Sequence, residues 1–566
     1  MHEVRRDWTI GLGFVFLVAA GLLSGVVAVR ADQDVRLVLQ ITVDGLRGDL
    51  LNRYGDRFGE EGFRHLLDNG AVFTNAHYQH ANTETIVGHT TLATGTSPSR
   101  HGMVGNVWFD RESGRLSYNI EDPAYPLLPS RGQNSPGTQL DPAQMASRSN
   151  GRSPSAILAS TFSDELFVHS GGQAKIFSVS AKDRGAVPLA GHMGKAFWYS
   201  TDTGDFVTSR FYYEAYPEWV SRWNAKGLAA SHDGQSWTLL NDRSTYLFGD
   251  ADDRPYEQDL YGYGRTFPHA FGSADSAQFR TYLLVSPIGD RLTNDFAKTL
   301  IANEELGQDD VPDYLAVSFS SVDAINHFFG PSSLENEDAV LQLDLVLADL
   351  LNFIDEKVGL EHTLIVLSAD HGMAEMPEFM AENGMSVGRI FNEEVEAIAN
   401  KAAVDRFGLK GVVERFYRPY LSLNAKAIEE ADIERSEVEE VVAEALMQRK
   451  GIALAMPVRG QSNIADTALS EQIKNNSHMQ RSGDIYVVQE PYWFLFGKGP
   501  IAVMHGSPWR YDTYVPIILA GPGIEPQKVS RLVHPADVAP TLANLVGTKI
   551  PSSATGQPLR EVLQGR

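Results

Sequence analysis

The chain has 566 residues, 43% hydrophobic and 21% charged, which excludes large-scale disorder and leaves room for one large domain with insertions. Its formal net charge of −24 disfavours wholesale binding to a nucleic-acid backbone, although a local cluster of cations can still receive a small anion because salt screens distant charges over about 8–10 Å. Cysteine is absent, so disulfides, thiolate metal ligands and a cysteine nucleophile are excluded, and any zinc must rest on His, Asp and Glu.

Arg5 and Arg6 precede an uncharged apolar run from Trp8 to Val29, and Arg30-Ala31-Asp32 follow. This pattern predicts an export signal over residues 1–31, cleaved or kept as an anchor, and hence an exported, periplasmic or extracellular protein. Val35 to Val43 predicts a buried parallel strand ending at Asp44-Gly45. Ala71 to Phe73 predicts a short strand, and Gly88 to Ala93 a helix stopped by Gly95 and Pro98. Tyr314 to Phe319, His362 to Ser368 and Val515 to Ala520 predict three more buried strands. Leu341 to Ile354 reads as an amphipathic helix, Asn392 to Phe407 as a charged one, and Glu429 to Glu444 as a solvated acidic one. Strands alternating with helices predict an open α/β sheet, whose ligand sites lie beyond the carboxyl ends of the strands. Residues about 110–300 and about 386–500 break the rhythm and read as insertions covering that edge, within one catalytic domain spanning 32–566.

Metal-ligand residue types gather at these strand ends. Asp44 follows the first strand, and Asp370-His371 follow HTLIVLS. Asp323 and His327, four apart in SSVDAINHFFG, share one helical face, and His505 precedes the last strand. Each feature alone is a weak signal; their joint placement is not. Six ligands suit two zinc ions, each with three protein ligands and one open position, and paired metals suit displacement at phosphorus. Thr85, in ANTETIVGHTTLATG, stands just before a helix start, where free N–H groups and the dipole favour an anion. Taken alone, such a threonine reads more simply as a helix cap.

The pattern T-x-x-G-H-T-x-L-A-T-G-x-x-P from Thr85 to Pro98, with HG and GN following, resembles the type I phosphodiesterase/nucleotide pyrophosphatase branch of the alkaline phosphatase superfamily. Within that branch the chain is most similar to the phosphate-irrepressible bacterial alkaline phosphatases, over roughly residues 35–110, 170–200, 312–376 and 483–545. The resemblance implies a doubly wound, mostly parallel central sheet flanked by helices, with cap insertions. It implies that Thr85 is the nucleophile and shares one zinc with Asp44, Asp370 and His371, while Asp323, His327 and His505 hold the other. Asn106 matches an asparagine that donates to a phosphoryl oxygen, and Lys182 and Arg184, in SAKDRGAVPLAGH, match a Lys-x-Arg pair typical of the monoesterase members. Arginine offers a planar fork to phosphate oxygens and lysine a mobile point charge.

Two zinc ions, three aspartates and a threonine alkoxide leave such a site near neutral. A monoester dianion is then balanced by Lys182 and Arg184, whereas a diester leaves one cation over. The expected activity is therefore metal-dependent hydrolysis of small-molecule phosphate monoesters through a phosphothreonine, with phosphodiester or pyrophosphate cleavage at the same site as the alternative. A sulfatase is disfavoured because T-I-V-G stands where its modified cysteine or serine motif is needed. A zinc-stabilised binding protein has no need of the threonine and the phosphate clamp together. No nucleic-acid partner is expected, and membrane contact only through the N-terminal segment. Glu84, beside the nucleophile, has no place in this reading.

Overall fold

A computed structural model describes residues 35–130, 141–459 and 466–563. The export segment expected over residues 1–31 lies outside them. Among the described residues, no helix is long and apolar enough to cross a membrane.

The architecture is a nine-stranded sheet with helices on both faces. Its strands, in chain order, are β1 (Leu37–Val43), β2 (Ala71–His77), β3 (Ile176–Ser180), β4 (Lys195–Tyr199), β5 (Phe206–Val207), β6 (Asp313–Phe319), β7 (Thr363–Ser368), β8 (Tyr514–Ala520) and β9 (Gln527–Val529). They lie in the order β9-β2-β8-β7-β1-β6-β3-β4-β5. β7, β1, β6, β3 and β4 are parallel neighbours, with Leu37 opposite both Asp313 and Thr363. Only β8 and β5 run against the rest.

Central strands of a parallel sheet are covered on both faces, and β1 (LVLQITV) is buried at all seven positions. Leu37, Leu39, Ile41 and Val43 enter one core, and Val38 enters the other. Seven helices matter below: α1 (Thr85–Thr94), α2 (Phe162–His169), α3 (Asp183–Ala190), α4 (Pro287–Glu304), α5 (Ser321–Phe329), α6 (Leu334–Lys357) and α7 (Val538–Leu545). α4 and α6 pack on the Leu37 face, through residues such as Phe296, Leu300, Leu343 and Leu350. α2 and α7 pack on the Val38 face, through Phe162, Leu166, Val538 and Leu542. Each such side chain removed from water contributes roughly 1.5–3 kcal/mol, so the two-sided burial anchors the strand ends beyond which the site lies.

The stretch about 110–300 also supplies β3, β4 and β5 to this sheet, and the 18-residue α4. A four-stranded antiparallel sheet is built from Val413–Tyr417, Tyr420–Leu423, Ile485–Gln489 and Ile452–Pro457, in that spatial order. It packs on the helices Asn392–Phe407 and Arg435–Met447 through a core of its own.

Two expected elements differ. The helix expected over Glu429 to Glu444 is two helices, Ala425–Glu430 and Arg435–Met447, separated at Asp432, whose φ is +54°. The second is not solvated all round: Val438, Val442 and Leu446, four apart, are fully buried beneath its acidic residues. The helix expected to start at Gly88 starts at Thr85.

Candidate active site

The site residues come to one edge of the sheet because of how each segment leaves it. Asp44 directly follows β1, and Asp370 and His371 follow β7. α5 begins one residue after β6 and carries Asp323 and His327 on one face. Lys182 and Arg184 follow β3 at the start of α3. His505 instead precedes its strand, and the reversal of β8 brings the start of that strand to the edge where the others end. Thr85 is the first residue of α1, and Glu84, in extended conformation, is its N-cap without a side-chain cap bond. Thr85 is therefore not the cap, and its Oγ1 is buried without a hydrogen-bond partner. α1 packs so closely on the Asp370 loop that a Cβ at Gly88 would lie 1.9 Å from the Asp370 carbonyl oxygen.

Two groups of buried ligand atoms result: Asp44, Asp370 and His371, and Asp323, His371 and His505. Within each, the ligand atoms lie within 4.8 Å of one another. His371 belongs to both, its ring stacked on His505 at 3.5 Å. His327 adjoins the second group, with Nε2 3.4 Å from Asp323 Oδ2.

The donor set fits divalent cations. All three imidazoles spend Nδ1 on a backbone carbonyl: His371 on Gly372 at 2.8 Å, His505 on Thr83 at 2.8 Å and His327 on Val503 at 3.0 Å. Each Nε2 is then the free end, oriented as metal-binding histidines are by their outer partners. The Nε2 atoms face carboxylates: His371 is 3.2 Å from Asp44 and 3.3 Å from Asp370, and His505 is 3.6 Å from Asp323. Asp323 Oδ1, Asp370 Oδ2 and His371 Nε2 are buried without hydrogen-bond partners, a cost that a bound cation would remove. His89, on α1, ties the groups to the helix: its Nδ1 is 2.9 Å from the Thr85 carbonyl and 3.2 Å from Asp370 Oδ2, and its Nε2 is 2.8 Å from Ser318 Oγ.

Charge is poorly balanced here, and this shifts the acidity of the site residues. Burial alone would lower His371, but Asp370, Asp44 and Asp323 reverse this and raise it to about 10. Burial raises Asp370, and the Asp44 carboxylate adds to the rise. Asp44 and Asp323 go the other way: burial opposes their charge, yet Lys182 among other groups holds both below the usual carboxylate range. The Lys182 ammonium is 2.6 Å from Asp44 Oδ2 and also bonds Asp323 Oδ2, so it bridges the two ligand groups.

A cavity of about 230 Å³ opens on this cluster. Asn106, Lys182, Arg184, Asp323, His327 and His505 share its wall, with Trp198, Leu284, Phe328 and Met504 on the apolar side. Asp44, Thr85, Asp370 and His371 are not among its lining residues.

The chain matches the type I phosphodiesterase / nucleotide pyrophosphatase family over residues 38–508. It belongs to that family. Among relatives of this phosphodiesterase-family chain, a protein of Myroides odoratus named calcium-transporting ATPase is 33% identical, covering 94% of this chain and 95% of the relative. Alkaline phosphatase PafA of Elizabethkingia meningoseptica is 31% identical, covering 99% of both chains. The crystal structure of wild-type PafA superposes with a TM-score of 0.84 at 29% identity, covering 93% of this chain and 98% of that one.

Three residues of this family member escaped the sequence reading. Asp141 pairs with Arg184 Nη1, so one of the two cations set against a monoester dianion already has a carboxylate partner. Arg418, from the turn between Val413–Tyr417 and Tyr420–Leu423, donates to the His505 carbonyl at 2.6 Å. Only His89 had a visible signal, its place in the G-H-T motif. Glu84, left without a role, is buried and bonded to Asn106 and Arg418.

Proposed function

We propose that this protein is a metal-dependent phosphatase acting on phosphate monoesters, with Thr85 as nucleophile. The observation that carries the reading is the shared cavity wall, where Asn106, Lys182 and Arg184 stand with Asp323, His327 and His505. Kinship with PafA supports the same reading. Asp44, Asp370 and His371, with Thr85, would hold one zinc ion, and Asp323, His327 and His505 the second. When bound, such ions ionise a hydroxyl near neutral pH and stabilise charge on a leaving oxygen.

The protein's own groups do the rest. Thr85 Oγ attacks phosphorus in line and the bond to the ester oxygen breaks, leaving a phosphothreonine and an alcohol. Water then cleaves the Thr85 Oγ–P bond and releases inorganic phosphate. The positive end of the α1 dipole favours the anion, and Asn106, Lys182 and Arg184 meet the charge on the three non-bridging oxygens. Lys182 moves from its two aspartates to the phosphate. Export rests on the Arg5-Arg6 and Trp8 to Val29 pattern.

The test is hydrolysis of a nitrophenyl phosphate monoester against the matching diester, with zinc. ATP belongs in the same assay, given the name of the Myroides relative. A strong monoester preference is expected, falling by about 10²–10⁴-fold in Lys182→Ala/Arg184→Ala, because each charged hydrogen-bond partner contributes roughly 1.5–3 kcal/mol. A diester preference that the double substitution leaves untouched would make this a phosphodiesterase.

A further inference from the structure

A carboxylate next to the nucleophile works against an incoming phosphate, so the disposition of Glu84 needs a reason. Its side chain is buried, and Oε2 accepts the backbone N–H of Asn106 at 2.6 Å. Oε1 meets Arg418 Nη2 at 3.3 Å. Asn106 Oδ1 in turn accepts the Ile86 N–H at 3.1 Å. That donor fixes which end of the carboxamide is oxygen, and leaves the Nδ2 end to donate into the cavity that Asn106 lines.

Arg418 comes from the four-stranded sheet, not from the central one. It is 2% exposed, and Nη2 is shared between Glu84 and the His505 carbonyl. The chain makes room for it: at Gly506, with φ +98°, a Cβ would come within 2.0 Å of Nη2. A buried ion pair is often no better for stability than packed apolar residues of the same volume, so its burial beside the nucleophile calls for a role other than stability.

We infer that Arg418 is a positioning residue of the phosphatase site: it fixes Glu84, and Glu84 fixes Asn106 so that its carboxamide meets the transferring phosphoryl group. The second sheet thereby contributes to catalysis without touching substrate. This rests on the monoesterase reading above.

The experiment is a double-mutant cycle on kcat/KM for nitrophenyl phosphate with zinc, using wild type, Asn106→Ala, Arg418→Gln and the pair, with thermal midpoints recorded for each. Arg418→Gln is expected to lower kcat/KM by about 10–100-fold in wild type, the loss that small misplacements produce. In the Asn106→Ala background the same change should cost less than about threefold, because the group being positioned is gone. Glu84→Gln should behave like Arg418→Gln, and Arg418→Lys should recover part of the rate. Equal losses in both backgrounds, or an Arg418→Gln protein with the wild-type rate, would overturn the inference. If Arg418→Gln does not accumulate as folded protein, Glu84→Gln goes through the same cycle under the same criterion. Wild type with no monoesterase activity sinks the functional reading itself, which is a different result from an active wild type with additive losses.

Discussion

The Thr85 hydroxyl has no structural duty that would compete with its proposed role as nucleophile. It is the first residue of α1, buried, and makes no bond that the fold needs. Thr85→Ala is therefore expected to keep its thermal midpoint while kcat for the monoester falls by about 10³–10⁶-fold, the range for removing a nucleophile. Acid quenching followed by intact mass should trap a phosphorylated wild type and no phosphorylated variant. A trapped phosphoprotein in Thr85→Ala would move the nucleophile elsewhere. At this scale the sequence was informative where a residue sits at a strand end, as with Asp44 and Asp370-His371. It was silent on Arg418, because an Arg-Pro dipeptide between two insertion strands says nothing about where its guanidinium travels. It was silent on Asp141 for the same reason.

Elements place the residues, and α5 is the one most visibly held. Asp290, near the start of α4, accepts the N–H groups of Ser320 and Ser321 at 2.9 and 3.1 Å, closing the N-terminus of the helix that carries Asp323 and His327. Burial pushes Asp290 up to about 7, despite those bonds. A folded-state value above the unfolded one means stability that is full below about 3.9 and is lost as pH rises through 7. Asparagine keeps the acceptor and has no charge to bury. Asp290→Asn should therefore match wild type in melting temperature near pH 4 and exceed it by about 3–5 °C at pH 8.5. A gap that stays constant with pH, or reverses, would refute the assignment. Strand elements were legible because buried parallel strands read as unbroken apolar runs. The start of α1 was not, because Thr85, Ile86 and Val87 are β-branched and their helical state comes from burial against the Asp370 loop.

For the molecule as a whole, three buried aspartates converge from segments as far apart as residues 44 and 370. Cations that join them stabilise the folded chain alone. Chelation followed by zinc is expected to lower and then restore the melting temperature by about 3–5 °C at ligand near a thousand times its dissociation constant. The increment should shrink as pH falls below about 10, because a cation must displace the proton that His371 holds in the folded chain. A melting temperature indifferent to both additions would remove the metal reading. The overall α/β class was legible from strand–helix alternation. The reversal of β8 was not, because periodicity carries no direction, and that reversal is what delivers His505.

The sheet order has a consequence for biosynthesis. Among the described residues β1 is the first strand to be made, and it sits at the centre of the nine-stranded sheet, between partners supplied by residues 313–319 and 363–368. Until both have emerged, a nascent chain carries LVLQITV with open hydrogen-bonding edges, a segment of the composition that pairs with other chains. A fragment ending before residue 363 keeps that liability permanently. Truncation from the C-terminal side therefore does not trim this protein to a smaller phosphatase; it leaves an adhesive strand exposed.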